Sequence, residues 1–212
     1  LDVAEFSSHG PTKEGQRKPE VLGCGGWYIW SVDSDGNLGS NNAGIMTMGG
    51  TSMSTPTTAG FAALIRQYFT EGWYPSGSPD AGDAITPSGA LIKAMLVNST
   101  RNSPGAYSTD AINSTATQNA PSMGQGWGRV TMADVIYFDG DERDLWVVDE
   151  TTGFTTAGQY NEYTINLGSS TSEYIKVVLT WTDYPANTGV SNALVNDLNL
   201  TVTLDGNTYL GN

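Results

Sequence analysis

The sequence predicts an α/β region followed by an all-β region, and three observations support this division. Apolar residues recur at the i, i+3, i+4, i+7 spacing of a helix in one run, Phe61, Leu64, Ile65 and Tyr68. After about residue 145 the apolar period changes to two, most clearly in residues 198–204. The acidic stretch 139–144 lies between the two patterns, so we predict domains at residues 1–140 and 141–212.

Two helices are expected in the first region. Pro56 is tolerated in the first turn of a helix, so the helix that contains Leu64 should begin near Ser52. This helix has no polar face before Arg66, which indicates a buried helix. Thr86 and Pro87 are typical of an N-cap and a first helical position, followed by an apolar helical run of Leu91, Ile92, Met95 and Leu96.

The remaining elements are expected to be short. Residues 133–138 favour a last short helix, and the first fifty residues favour loops that join short strands. In the second region the alternating segments 163–167, 175–181 and 198–204, with a possible fourth at 145–148, predict strands. Consecutive strands without helices favour an antiparallel sandwich or barrel, although so few strands would form only part of one.

Composition excludes several classes of function. The chain has 212 residues with 9 basic and 22 acidic side chains, a net charge of −13. Such an acidic surface repels phosphate backbones and anionic lipids, so neither nucleic acid nor a membrane surface is an expected partner. The same charge suits a secreted protein. One cysteine, Cys24, excludes an internal disulfide framework and a cysteine-based zinc site.

The stretch from Gly49 to Gly60 presents Ser52 between two glycines and a proline, just before the predicted helix. A serine there lies beside unpaired N–H groups and the positive end of the helix dipole, which can stabilise an oxyanion. The alternative is an ordinary N-cap serine. A nucleophilic serine also needs a base, and the chain has one histidine, His9.

Three segments together carry a resemblance to a known family. Residues 50–56, GTSMSTP, resemble the nucleophile motif GTSMAxP of the subtilisin-like serine proteases (subtilases, peptidase family S8). Residues 3–12 with 16–21 resemble the VAxFSSRGPT and RxKPDV segments of that family, and residues 124–130 resemble its GxGxGxV segment. The motifs occur in the family's order. Segments around residues 181–183 and 194–198 resemble the β-sandwich that follows the protease domain in alkaline, oxidant-tolerant subtilases.

The resemblance implies a fold and roles for residues. It implies the C-terminal portion of a subtilisin-like α/β domain with a parallel sheet, followed by a partial, jelly-roll-like antiparallel sandwich. Ser52 would be the nucleophile in the hydrolysis of peptide bonds of protein or peptide substrates, and its N–H would donate to the oxyanion. Thr51 would support the oxyanion, and Met48, Gly49 and Gly50 would line the wall near the scissile bond. Met53 would adjoin the nucleophile as an oxidisable side chain.

The family's aspartate, histidine and oxyanion asparagine motifs are absent from the sequence. In the family's order all three would precede Leu1, so we expect the N-terminal part of the same catalytic domain to be the missing partner. His9 stands where the family has arginine and lacks the family's HGT context, so we interpret it as a loop residue near the cleft. The 212 residues alone should therefore be inactive.

Two further expectations concern a metal and the cysteine. Asp183, Asn196 and Asp197 offer hard oxygen ligands suited to calcium, which the resemblance also implies, and turn chemistry is the alternative. Cys24 is expected to be a small buried hydrophobe and not a nucleophile.

A different class of function stays open at this point. The chain could be a noncatalytic pseudoprotease, or a processed C-terminal chain that binds a protein or glycan through its sandwich. The intact motif around Ser52 favours the secreted endopeptidase.

Overall fold

The computed structural model describes residues 3–41, 44–104, 106–107, 115–116, 119–168 and 174–211. Within these residues it contains two α-helices, α1 at Thr51–Thr70 and α2 at Gly89–Asn98. Two single 3₁₀ turns lie at Ala81–Asp83 and Met132–Asp134. The second turn is all that forms of the short helix expected at 133–138.

Helix α1 begins at Thr51, which confirms the predicted start near Ser52. Pro56 nevertheless lies in the second turn, so the argument that confined it to the first turn is wrong. Burial is also limited to the C-terminal half of the helix, at Ile65, Tyr68 and Phe69. Leu64 is 51% exposed, so the helix is not buried on all faces as its composition indicated.

Helix α2 is capped by Ser88 and not by Thr86. The Ser88 hydroxyl accepts a hydrogen bond of 3.0 Å from the N–H of Leu91, which satisfies one of the unpaired donors of the first turn. Pro87 therefore precedes the cap, because Ser88 offers the same capping oxygen closer to the apolar run.

The described strands pair as four two-stranded antiparallel sheets. In chain order they are β1 (Ile29–Val32) with β2 (Ile45–Met48), β3 (Thr100–Arg101) with β6 (Arg129–Val130), β4 (Ala106–Tyr107) with β5 (Thr115–Ala116), and β7 (Thr201–Leu204) with β8 (Asn207–Leu210). Parallel pairing in the described ranges is limited to a bridge between Leu22 and Arg129. The expected parallel sheet is thus not formed by these residues.

The region after residue 140 has little regular pairing. In its described residues the β7–β8 hairpin is the regular pair, and segments 145–148, 163–167 and 175–181 are not hydrogen-bonded strands. Alternation of exposure persists all the same, with Leu145 half-buried and Trp146 exposed. No two facing sheets form among these residues, so the sandwich and the domain boundary stay predictions.

One core joins the helices to the chain beyond them. It contains the buried side chains Ile65, Tyr68, Phe69, Leu91, Met95 and Val135. Leu145 and Val147 pack against this cluster, so the chain just after the acidic stretch contacts the helical region.

Candidate active site

Ser52 is the second residue of α1, and its side chain is exposed. Gly50 is the N-cap residue, with φ 145° and ψ 171°, and no side chain caps this helix. A residue with a side chain is strained at this positive φ, which explains the glycine before Thr51. The reading of Ser52 as an ordinary N-cap serine is therefore wrong, and its hydroxyl is not used to close the helix end.

The amides at the start of α1 are arranged as an anion site requires. The carbonyl of Gly50 accepts hydrogen bonds from the N–H groups of Met53 at 3.0 Å and Ser54 at 3.3 Å. The N–H groups of Thr51 and Ser52 come earlier and have no intrahelical acceptor. They lie at the positive end of a 20-residue helix, where developing negative charge is stabilised.

A glycine-rich loop, residues 23–25, packs against the first two turns of α1. The Ser54 hydroxyl donates a hydrogen bond of 3.0 Å to the carbonyl of Gly23, and the N–H of Gly50 donates one of 2.7 Å to Gly25. A Cβ on Gly25 would lie 2.6 Å from the Cβ of Ser54, so backbone contact requires glycine there. These positioning residues lie outside the three motifs and were not predicted, although the GCGG pattern at residues 23–26 was an available signal.

The 124–130 motif is hydrogen-bonded to the segment that leads into this loop. The N–H of Leu22 donates to the carbonyl of Gly128 at 2.8 Å, and the N–H of Val130 donates back to Leu22 at 3.0 Å. The N–H of Trp127 donates to the carbonyl of Glu20 at 2.8 Å. The third motif therefore supports the loop that contacts the Ser52 turn.

The motif at residues 3–12 and 16–21 is bonded to the same part of the structure. The N–H of Gly10 is shared between the carbonyls of Lys18 at 2.6 Å and Met123 at 3.2 Å. Arg17 lies over the Trp127 ring, 5.0 Å from its centroid. All three motifs that carry the resemblance thus lie in one continuous hydrogen-bonded structure around the start of α1.

The other residues assigned to the site lie on both sides of Ser52. Met48 ends β2 and is 47% exposed, whereas Met53 is half-buried within α1. A Cβ on Gly49 would lie 2.8 Å from the carbonyl oxygen of Gly26, so Gly49 passes close to the neighbouring backbone. The carbonyl of Thr51 accepts a bond of 2.9 Å from the Thr55 hydroxyl.

His9 and Cys24 are both exposed in loops. The burial expected for Cys24 is therefore wrong. Gly23 and Gly25 make the close contacts with α1, and the cysteine between them is left facing solvent.

Two of the three proposed calcium ligands, Asp183 and Asn196, are hydrogen-bonded to each other, and no such bond is shown for Asp197 among the described residues. The Asp183 carboxylate accepts from the N–H of Val195 at 2.8 Å, the N–H of Asn196 at 3.0 Å and the Asn196 side-chain amide at 2.7 Å. These donors, the N–H of Val195 first, hold the pKa of Asp183 below its ordinary value. Across the described ranges, no group of three or more histidine, cysteine or acidic side chains could hold a metal ion.

The Ser52 turn lies within a segment whose sequence matches a known family of proteins. The sequence model of the subtilase family, peptidase family S8, matches residues 2–128. Since this range is more than half of the 212 residues, the chain belongs to the subtilase family.

Among curated proteins, the chain is similar to two larger proteins of Dictyostelium discoideum. It is 30% identical to the serine protease/ABC transporter B family protein tagD over 95% of the chain, but over 13% of that protein. It is 30% identical to the related protein tagB over 94% of the chain, but over 12% of that protein. It is also 36% identical to the serine protease AprX of Bacillus subtilis, over 52% of the chain and 24% of AprX. The chain therefore spans a small part of the relatives it matches.

In the part of the chain that the structure describes, no helix has both the length and the apolar character needed to cross a membrane.

Proposed function

We propose that Ser52 is the nucleophile of a serine endopeptidase that hydrolyses peptide bonds in protein or peptide substrates. The single observation that carries this proposal is an exposed hydroxyl at the second position of α1. It lies next to backbone N–H groups that no side chain caps, and it follows the N-cap residue Gly50 by two positions. This arrangement lies within a chain of the subtilase family.

The reaction uses ordinary acyl-enzyme chemistry. Ser52 Oγ attacks the substrate carbonyl while a base removes the hydroxyl proton. The C–N bond then breaks, the proton passes to the leaving amine, and a water molecule hydrolyses the serine ester. The Ser52 N–H donates to the oxyanion and Thr51 supports it, while Met48, Gly49 and Gly50 line the wall near the scissile bond.

The base and its acid are proposed to come from polypeptide that precedes Leu1, together with an oxyanion asparagine. The proposal is supported by the one histidine of the chain, His9, whose exposed loop lacks the family's catalytic histidine context. The 212 residues match 13% of the length of tagD, which is consistent with a chain that carries one part of a site. These residues alone are thus expected to be inactive.

Peptide hydrolysis by the full-length polypeptide tests the proposal, with Ser52→Ala and Ser54→Ala as a matched pair. Each variant removes one hydroxyl from the same helical turn. Ser52→Ala should lower kcat by at least about a thousandfold, since it removes the attacking oxygen. Ser54→Ala should retain most of the parent's activity, because its hydroxyl bonds the loop carbonyl of Gly23 and is not the attacking oxygen. Activity of Ser52→Ala equal to that of Ser54→Ala would contradict the assignment. A parent polypeptide without peptidase activity would favour a noncatalytic binding module.

Secretion is part of the same proposal. The net charge of −13 supports it, because an acidic surface stays soluble in salty extracellular fluid and avoids anionic lipid and nucleic acid. Full-length protein found in the medium of its native cells would agree with secretion. Protein confined to the cells would contradict it.

A structural calcium ion at Asp183, Asn196 and Asp197 also stays a proposal. Its support is the approach of the Asp183 and Asn196 side chains to 2.7 Å, but the observed bonds already use both Asp183 oxygens. Binding would have to replace those bonds. If calcium binds there, it raises the Tm of the parent and not of Asp183→Asn. The same Tm with calcium and with a chelator would exclude the ion.

A further inference from the structure

Both ends of α2 are held by charged side chains from the region after residue 140, and the charges are opposite. At the N-terminus, Asp149 accepts hydrogen bonds from the N–H of Ser88 at 2.7 Å and from its hydroxyl at 2.6 Å. At the C-terminus, Lys176 Nζ donates to the carbonyls of Asn98 at 2.8 Å and Thr100 at 2.9 Å. An acid at the first turn and a base at the last complement the helix dipole.

Lys176 is enclosed by acceptors. Its ammonium group also lies 3.2 Å from the carbonyl of Val97 and 3.2 Å from the Thr100 hydroxyl. Burial lowers the pKa of Lys176, while the carboxylate of Asp134 acts in the opposite direction. Because the ammonium group is partly removed from water, it relies on its carbonyl partners, so its contact with α2 is more than a surface ion pair.

The segment around Lys176 faces α2 with one side of an extended chain. Lys176, Val178 and Thr180 are half-buried, whereas Val177 and Leu179 between them are exposed. The Thr180 hydroxyl donates a hydrogen bond of 2.7 Å to the carbonyl of Ala90, near the start of α2. This segment therefore contacts the helix along most of its length.

The segment around Asp149 uses the same alternation. Leu145 and Val147 pack on the helical core, and the N–H of Val147 donates to the Tyr74 hydroxyl at 3.3 Å. Asp149 follows on the same side and reaches Ser88. Segment 145–149 thus contacts the start of α2, and segment 174–181 extends from near its start to its end.

We propose that segments 145–149 and 174–181 form a permanent intramolecular partner of α2, so that the region after residue 140 unfolds together with the helical core. The core couples this partner to the site, because Leu91 and Met95 of α2 share it with Ile65 and Phe69 of α1. The region after residue 140 then stabilises α1, the helix whose second residue is Ser52. This inference concerns stability and holds whether or not Ser52 is a nucleophile.

Amide hydrogen exchange of the full-length polypeptide tests the proposal with Lys176→Met and Asp149→Asn, alone and combined. Lys93→Met is the matched control, because Lys93 is an exposed lysine of α2 itself and bonds Glu20 at 3.1 Å, with no contact to the region after residue 140 shown for it in the described ranges. If the segments act as one unit, Lys176→Met speeds exchange by roughly tenfold at both ends of α2, including the amides near the distant Ser88. The control leaves both ends unchanged.

The combined variant provides the decisive comparison. Its loss of Tm should be smaller than the sum of the two single losses, because the segment released by one substitution no longer contributes through the other contact. Exchange changed only in the last turn of α2, with additive losses of Tm, would overturn the proposal.

Thr180→Val is a milder variant for the case in which Lys176→Met does not fold. It removes the bond to Ala90 with little change of shape and should speed exchange at both ends of α2 by a smaller factor. Unchanged exchange at both ends would also overturn the proposal.

Discussion

The N–H of Gly50, the residue that caps α1, lies 2.7 Å from the carbonyl oxygen of Gly25. The loop before β1 therefore holds the turn from which Ser52 projects. Gly25 permits this approach because a Cβ there would lie 2.7 Å from the carbonyl oxygen of Gly50. The position of the serine depends on a loop outside its own motif.

Substitution of Gly25 should disturb that turn. Gly25→Ala should lower the free energy of unfolding by about 1–3 kcal/mol, because the methyl group must displace the backbone at Gly50 and Ser54. Gly26→Ala is the matched control, since a Cβ on Gly26 has no neighbour within 4 Å. Urea unfolding of the two variants measures the difference. Equal stability would mean that the contact of the loop with α1 is not close.

The 124–130 motif should show the same contrast between neighbouring glycines. Gly126 has φ 57°, and a Cβ there would overlap the carbonyl oxygens of Pro19 and Glu20. A Cβ on Gly124 would meet nothing within 4 Å. We expect Gly126→Ala to lower Tm clearly and Gly124→Ala to leave it nearly unchanged, as measured by circular dichroism. A similar Tm for both would contradict the packing of this motif on the segment before the loop.

Gln125 is fully buried, and its side-chain amide bonds a neighbouring turn. Its oxygen accepts from the N–H of Ser103 at 2.9 Å, and its nitrogen donates to Asn102 at 2.9 Å. Gln125→Met leaves the buried N–H of Ser103 without that partner, so it should cost about 1–3 kcal/mol of unfolding free energy. Gln67→Met is the control, because Gln67 bonds Glu71 on the exposed face of α1. A loss no larger than that of the control would contradict the buried network.

Tyr68 predicts a loss of stability at alkaline pH. Burial raises the pKa of Tyr68 from its ordinary value of 10.0 to about 12. Between these values the unfolded chain has released the phenolic proton and the folded chain retains it, so stability present below pH 10.0 is lost as pH rises toward 12.

The comparison of Tyr68→Phe with the parent isolates this effect. Urea unfolding at a series of alkaline pH values should show a shallower fall in stability for Tyr68→Phe. The control Tyr28→Phe alters an exposed ring and should keep the slope of the parent. Parallel curves for the parent and Tyr68→Phe would contradict the burial of this hydroxyl.

The sequence predicted local chemistry better than pairing. The start of α1 was predicted near Ser52 and lies at Thr51, although Pro56 is in the second turn and not in the first, as that prediction assumed. The cap of α2 was placed two residues early, because Thr86 and Ser88 offer equivalent oxygens and the choice depends on Asp149, far away in the chain.

Longer-range features depend on contacts that a pattern does not encode. Alternation along 175–181 predicted a strand that the structure does not form, and it did not show that Lys176 and Thr180 would bond a helix in place of a neighbouring strand. The three family motifs were each recognisable, whereas the hydrogen bonds that join them, such as that from Trp127 to Glu20, link distant positions. The sequence motif pointed to Ser52 as the candidate nucleophile, but it did not predict that the loop at residues 23–25 supports the turn containing Ser52.

The most direct test of the account is the mass of the Ser52 peptide after the full-length polypeptide reacts with a fluorophosphonate. The account predicts one phosphonyl adduct on Ser52, absent after heat denaturation, and normal labelling of Ser54→Ala. An unmodified Ser52 in polypeptide that is folded and contains the upstream histidine and aspartate would contradict it.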